Sequence, residues 1–225
     1  MSRIRNLSLI FSLTVLLAAG CSFGSGNIET KHSSDLEARR IRRIAVVPQG
    51  NTNAEAKPKV PFTSVSASDL KSSEQETSDV LARLVYSTMT SMPGWQIVSE
   101  SEVRDSTQSS GEGNELARVR KIGEMVYADA ILTGRVLRYR ERVGNEFGAK
   151  SPASVAFTLN LIDVRRGDTI WSARFDETQR SLSENIFGIG DIMSQGGIKW
   201  LTAEQLTREG VKKAMAQLHE ALSPK

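Results

Sequence analysis

Ala128-Asp129-Ala130-Ile131-Leu132-Thr133-Gly134-Arg135-Val136-Leu137-Arg138-Tyr139-Arg140-Glu141-Arg142-Val143 is the stretch on which the fold turns. Just ahead of it Leu116, Val119, Ile122, Gly123 and Val126 lie on one face of a helical pattern, so the chain passes directly from period 3.6 into a strand. Further along, Leu137, Tyr139 and Val143 alternate with Arg138, Arg140 and Arg142. This predicts a long strand running to Val143 with one strongly basic face.

Downstream, after a connection from Gly144 to Pro152, Val155, Phe157, Leu159 and Leu161 alternate with Ala156, Thr158 and Asn160, the pattern of a half-buried antiparallel strand. Arg165-Arg166-Gly167-Asp168 turns the chain into Thr169 to Asp176, where Trp171, Ala173 and Phe175 share a face. A three-strand meander follows from these patterns. Beyond a Gly-punctuated segment, Phe187 to Gly197, Thr202 and Gln205 cap a last amphipathic helix carrying Leu206, Val211, Met215, Leu218 and Leu222.

Upstream, Ile44-Ala45-Val46-Val47-Pro48 is a short β-branched run that predicts a buried first strand. Gln49 to Ser68, with Pro58 and Pro61, predicts a long loop of the kind that often carries function. Ser73 with Glu76 reads as a capping box ahead of Val80, Leu81, Leu84, Val85 and Met89, a helix stopped by Pro93-Gly94. Trp95 to Val98 is a second short strand, Ser99 and Glu102 open a brief helical turn, and Gln108 to Asn114 is a linker. The expected fold is α/β (α+β): a single mixed β-sheet, β-α-β-α and then the antiparallel meander, with the C-terminal helix packed on it.

The start of the chain decides its surroundings. Arg3 and Arg5 precede thirteen nearly all apolar residues, Leu7 to Ala19, and Leu17-Ala18-Ala19-Gly20-Cys21 closes the run with small residues. This is the anatomy of a secretory signal, too short for the about 20 residues that cross a bilayer. Its ending resembles the lipobox of bacterial lipoproteins. The resemblance implies that residues 1–20 are removed and that Cys21, the one cysteine, becomes an acylated first residue. Ser22 after it, rather than aspartate, implies the periplasmic face of the outer membrane. Residues 21–38 are polar, with no apolar period, and predict a flexible tether ahead of a periplasmic domain over residues 39–225.

From residue 40 to 222 the order of elements also resembles a periplasmic α/β domain. That domain is shared by curli-secretion-channel-like lipoproteins, penicillin-binding-protein activators and the N-terminal domain of the Tol translocation protein. The carrying residues are Arg43-Ile44-Ala45-Val46-Val47-Pro48, Ile97-Val98-Ser99-Glu100, Ala128 to Gly134, Leu161-Ile162-Asp163-Val164 and Thr169-Ile170-Trp171. The resemblance implies a fold together with export, synthase-stimulating or protein-binding roles. The basic face of Arg138, Arg140 and Arg142 departs from a membrane-spanning hairpin, which needs an apolar lipid face.

Without Arg3 and Arg5, the 29 lysines and arginines become 27 against 26 aspartates and glutamates. A nearly neutral exported chain does not call for nucleic acid. His32 and His219 are the two histidines, no His/Cys cluster has zinc spacing, and Gly188-x-Gly190-Asp191 lacks the lysine of a phosphate loop. No cofactor or metal is expected. Asp163, Asp168 and Asp176 at strand ends are the residues on which a glycan-acting enzyme would depend. Arg39, Arg40, Arg42 and Arg43 are candidates for anionic head groups, or simply a solvated approach to the first strand. The expected function is a non-catalytic binding or assembly factor anchored through acyl chains on Cys21. Its partner is an envelope protein that meets Arg138, Arg140 and Arg142, and self-association is left open. An oligomeric export channel and the glycan-acting enzyme are the alternatives.

Overall fold

Ile44 and Val46 on one side and Ala45 and Val47 on the other enter two different apolar clusters, so the first predicted strand lies between covered faces. The computed structural model describes residues 27–48, 67–111, 114–146, 148–179 and 200–223. Cys21, the signal, most of the proline-bearing loop and the Phe187 to Gly197 segment lie outside the described residues.

The elements, in chain order, are β1 (Asn27–His32), a 3-10 turn (Glu37–Arg39), β2 (Arg43–Pro48), α1 (Ala67–Thr90), β3 (Gln96–Ile97) and α2 (Glu100–Ser109). Then come α3 (Glu115–Met125), β4 (Ala130–Arg140), β5 (Val143–Gly144), β6 (Ala149–Ser151), β7 (Ser154–Asp163), β8 (Thr169–Thr178) and a last helix, α4 (Ala203–Leu222). Six strands form one mixed sheet in the order β1-β8-β7-β4-β2-β3, and β5 with β6 is a separate hairpin. β2 runs parallel to β3 and β4, whereas β4, β7, β8 and β1 are antiparallel neighbours. The mixed sheet, the meander and the packed terminal helix agree with the expectation from sequence.

α1 and α4 cover one face, burying Leu81, Leu84, Met89, Leu206, Val211, Met215 and Leu218 against Phe157, Leu159, Trp171 and Phe175. α2 and α3 cover the other face only over β2, β4 and the end of β7, through Val103, Val119, Ile122, Ala45, Val47, Ile131 and Ile162. No other described helix covers the rest of that second face. Two glycines allow the helices to approach closely: a β-carbon on Gly123 would sit 2.5 Å from Val164, and one on Gly210 would sit 2.8 Å from the Phe175 ring. Thr202 accepts from the Gln205 backbone N–H while the Gln205 side chain accepts from that of Thr202, the predicted capping box.

The structure corrects several expectations. The tether does not extend to residue 38: Asn27–His32 pairs with β8 as an edge strand, Thr30 donates to Gln217 of α4 at 2.7 Å, and Leu36 is 2 % exposed. α1 begins at Ala67, so Ser73 is inside the helix rather than its cap. The turn after Ser99 is a full helix of 10 residues. Leu116 is half exposed instead of facing the core. Finally, the long strand ends at Arg140, and Val143 belongs to the β5–β6 hairpin inside what was read as a plain connection.

Candidate functional site

The basic strand face is built differently from its sequence pattern. Val136 lies opposite Phe157 and Arg138 opposite Ala156, so Leu137 is the extra residue of a bulge. The bulge shifts the alternation by one: Val136 and Tyr139, three residues apart, both pack on the α1/α4 core. Leu137 is left exposed. Arg138 and Arg140 point to the second face, as expected, but their surroundings differ. Arg138 donates Nε to Ser154 Oγ at 2.6 Å and bonds Asp176 through its other end, while Arg174 reaches the same carboxylate at 3.4 Å. Arg138 and Arg174 hold the Asp176 carboxyl below the usual carboxylate range. Arg140 is exposed and has no side-chain partner among the described residues.

Arg142 does not join that face. Its guanidinium donates to the Trp200 carbonyl, the Glu141 carboxylate accepts the Ala203 N–H at 3.1 Å, and the Trp200 N–H donates to the Glu146 carbonyl at 2.8 Å. These contacts fasten the start of α4, where a carboxylate also complements the positive end of the helix. Of the three arginines read on one strand face, Arg138 and Arg140 lie together and Arg142 is turned toward the start of α4.

The strongest electrostatic feature was missed in the sequence. Arg39, read there as one of four solvent-facing arginines, is 7 % exposed. It donates to Asp35 at 2.9 Å, to Asp163 at 2.9 Å and, through two nitrogens, to Asp168 at 3.0 and 2.8 Å. Burial pushes the Asp163 carboxyl up, but Arg39 and the N–H groups of Arg166 and Arg165 outweigh it and hold the group below its ordinary value. Arg39 likewise lowers Asp168. Asp35 is lowered to about 2, first by the Ser33 hydroxyl and then by Arg39. Arg43 is also engaged, with Glu102 at 3.1 Å and the Val126 carbonyl at 3.2 Å. Asp35, four residues before Arg39, was the signal available in the sequence.

This network engages the strand-end aspartates in ion pairs. Asp168 and Asp176 are eight residues apart along β8, roughly 26 Å at about 3.3 Å per residue. Paired glycosidase carboxylates stand about 5–9.5 Å apart. Asp163 and Asp168 are near each other, but both are fixed as anions by one arginine, so neither supplies a proton at neutral pH. His219 packs edge-on against Trp95 at 5.4 Å and donates Nε2–H to the Pro93 carbonyl at 3.1 Å. Among the described residues no group of three His, Cys, Asp or Glu side chains is placed to hold a metal, and no helix is long and apolar enough to cross a membrane.

No protein-family model matches the chain, and no curated protein matches it. Solved structures do. A PelC dodecamer from Paraburkholderia phytofirmans is 15% identical, covering 88% of this chain and 100% of that one with a TM-score of 0.47. Lipoprotein GNA1162 from Neisseria meningitidis is 18% identical over 68% of this chain and 91% of its own, with a TM-score of 0.35. The LpoB C-terminal domain from Escherichia coli is 13% identical over 61% and 83%, with a TM-score of 0.34. Of these three, the Neisseria protein is named a lipoprotein.

Proposed function

We propose that this chain is a lipoprotein of the outer membrane, acylated at Cys21, that works on the periplasmic side as a non-catalytic binding or assembly factor. The observation that carries the reading is the position of Asn27. The sheet begins six residues after the lipobox cysteine, and six residues reach at most about 22 Å. The end of the sheet that holds Asn27, Asp176, Arg138 and Arg140 is therefore kept close to the bilayer. Arg140, exposed there and without a side-chain partner among the described residues, suits anionic groups on a lipid or an envelope protein lying along that face. The three strand-end aspartates, already neutralised by arginines, favour binding over catalysis.

Radiolabelled palmitate is expected to enter the wild-type chain and to be absent from Cys21→Ala, which leaves the outer-membrane fraction. Equal labelling of Cys21→Ala would overturn the anchor.

A further inference from the structure

We propose that the end of the sheet remote from Asn27 docks an acidic protein segment, with Tyr127 as the central contact and Arg42 and Arg165 as the flanking cations. α3 ends in a Schellman arrangement: the Ala128 N–H donates to the Gly123 carbonyl at 2.9 Å and the Tyr127 N–H to that of Glu124 at 3.3 Å. This geometry places residue 127 in the left-handed region, and φ there is 52°. Glycine is the usual occupant of such a position, because a β-carbon crowds the following carbonyl. Tyrosine is tolerated at a cost.

Nothing among the described residues offsets that cost. Tyr127 is 85 % exposed, more than Leu116, Met125, Leu137 or Val143, the other exposed large apolar side chains of the described residues. Its hydroxyl has no partner among those residues, and the ring belongs to neither core cluster. A strained, outward aromatic two residues after the 40 % exposed Met125 is the composition of an interface centre, where tyrosine is enriched.

The charges around it select the partner. The Asp129 carboxylate accepts the N–H groups of Arg42 and Arg43 at 3.0 and 2.9 Å, and its carbonyl accepts the Val164 N–H at 3.0 Å. The start of β2 and the β7–β8 turn therefore meet beside Tyr127. Arg42 and Arg165 are exposed there and make no ion pair among the described residues. Neighbouring carboxylates are already engaged: Glu102 by Arg43, Asp163 and Asp168 by Arg39, Glu124 by Arg120 at 3.7 Å, and Asp129 by the backbone N–H groups of Arg42 and Arg43. An exposed aromatic, with the unpaired Arg42 and Arg165 on the two segments that meet at Asp129, fits an acidic segment that brings an apolar side chain. Its direction rests on the anchored reading. Asn27 pairs with Asp176, while this end of the sheet lies beyond Thr169, roughly 23 Å farther along β8, so the site faces away from the anchoring leaflet.

The test uses the full mature chain in detergent micelles and a fluorescein-labelled glutamate–tyrosine copolymer as probe, read by anisotropy. Tyr127→Gly is expected to melt about 2–4 °C higher, through relief at the left-handed position, and to bind the copolymer about tenfold more weakly. Tyr127→Phe should bind as wild type. Arg42→Glu with Arg165→Glu should also lose about tenfold, and wild-type binding should weaken with added salt. Unchanged binding by Tyr127→Gly, or a lower melting temperature for it, would overturn the proposal. So would capture of anionic vesicles in place of the copolymer, or loss of a dimer in Tyr127→Gly by sedimentation, which would assign the surface to lipid or to a second copy. Intact mass of the same preparation reports acylation of Cys21 separately, so failure of the anchor and failure of this surface are told apart.

Discussion

Arg39 shows how one side chain can govern a whole corner of a fold. It joins the segment after β1 to the β7–β8 turn through three carboxylates, one of them fully buried. Removing the cation strands Asp163, and an unpaired buried charge is among the costliest defects a protein carries. Arg39→Met is expected to melt about 10 °C below wild type at neutral pH. The sign of the pH effect follows from the lowered pKa of Asp35, Asp163 and Asp168. Their stabilisation is complete above the unfolded value of about 4 and fades as pH falls through the folded values, about 2 for Asp35. Melting curves taken from pH 7 downward should therefore show the two proteins converging below pH of about 4. A gap of constant size would mean that Arg39 acts by packing alone.

Among the elements, α4 is set tightly against the sheet. Its Gly210 lies against the Phe175 ring, itself stacked on Phe157 at 5.1 Å, and an added methyl would meet ring atoms at 2.8 Å. Alanine is the better helix former by about 1 kcal/mol, but overpacking a rigid ring costs about 1–3 kcal/mol. Gly210→Ala should thus be destabilised by about 1 kcal/mol in chemical denaturation; a gain in stability would show that α4 can slide. The same helix was also the best read from sequence, because Thr202, Gln205 and the apolar stripe act locally. The meander was legible for a similar reason, alternation over ten residues. What escaped depended on distant partners. Asn27–His32 has too few apolar positions to declare itself a strand without β8 beside it. The bulge at Leu137 is a property of the β4–β7 register, invisible in either strand alone. Arg39 sits in a run of arginines that looks like surface until Asp163 and Asp168 are folded against it.

For the whole molecule, the N-terminal strand and the turn after it are part of the domain. A chain beginning at Ile28 should unfold at nearly the same temperature as one beginning at Ser22, whereas one beginning at Ile41 loses β1, Leu36 and Arg39 together. Leu36→Ala alone is expected to cost about 3 kcal/mol. Equal midpoints for all of these chains would return residues 27–40 to the status of a tether. The pairing of β1 with β8 also determines how the domain takes mechanical load. The chain ahead of Asn27 leaves at one end of the sheet and Tyr127 is displayed at the other, so tension between them runs along the strand axis. The interstrand hydrogen bonds lie across that axis and are pulled in shear, all six residues of β1 at once, instead of being unzipped one by one. A domain pulled between these two points holds together until the whole β1–β8 ladder gives way.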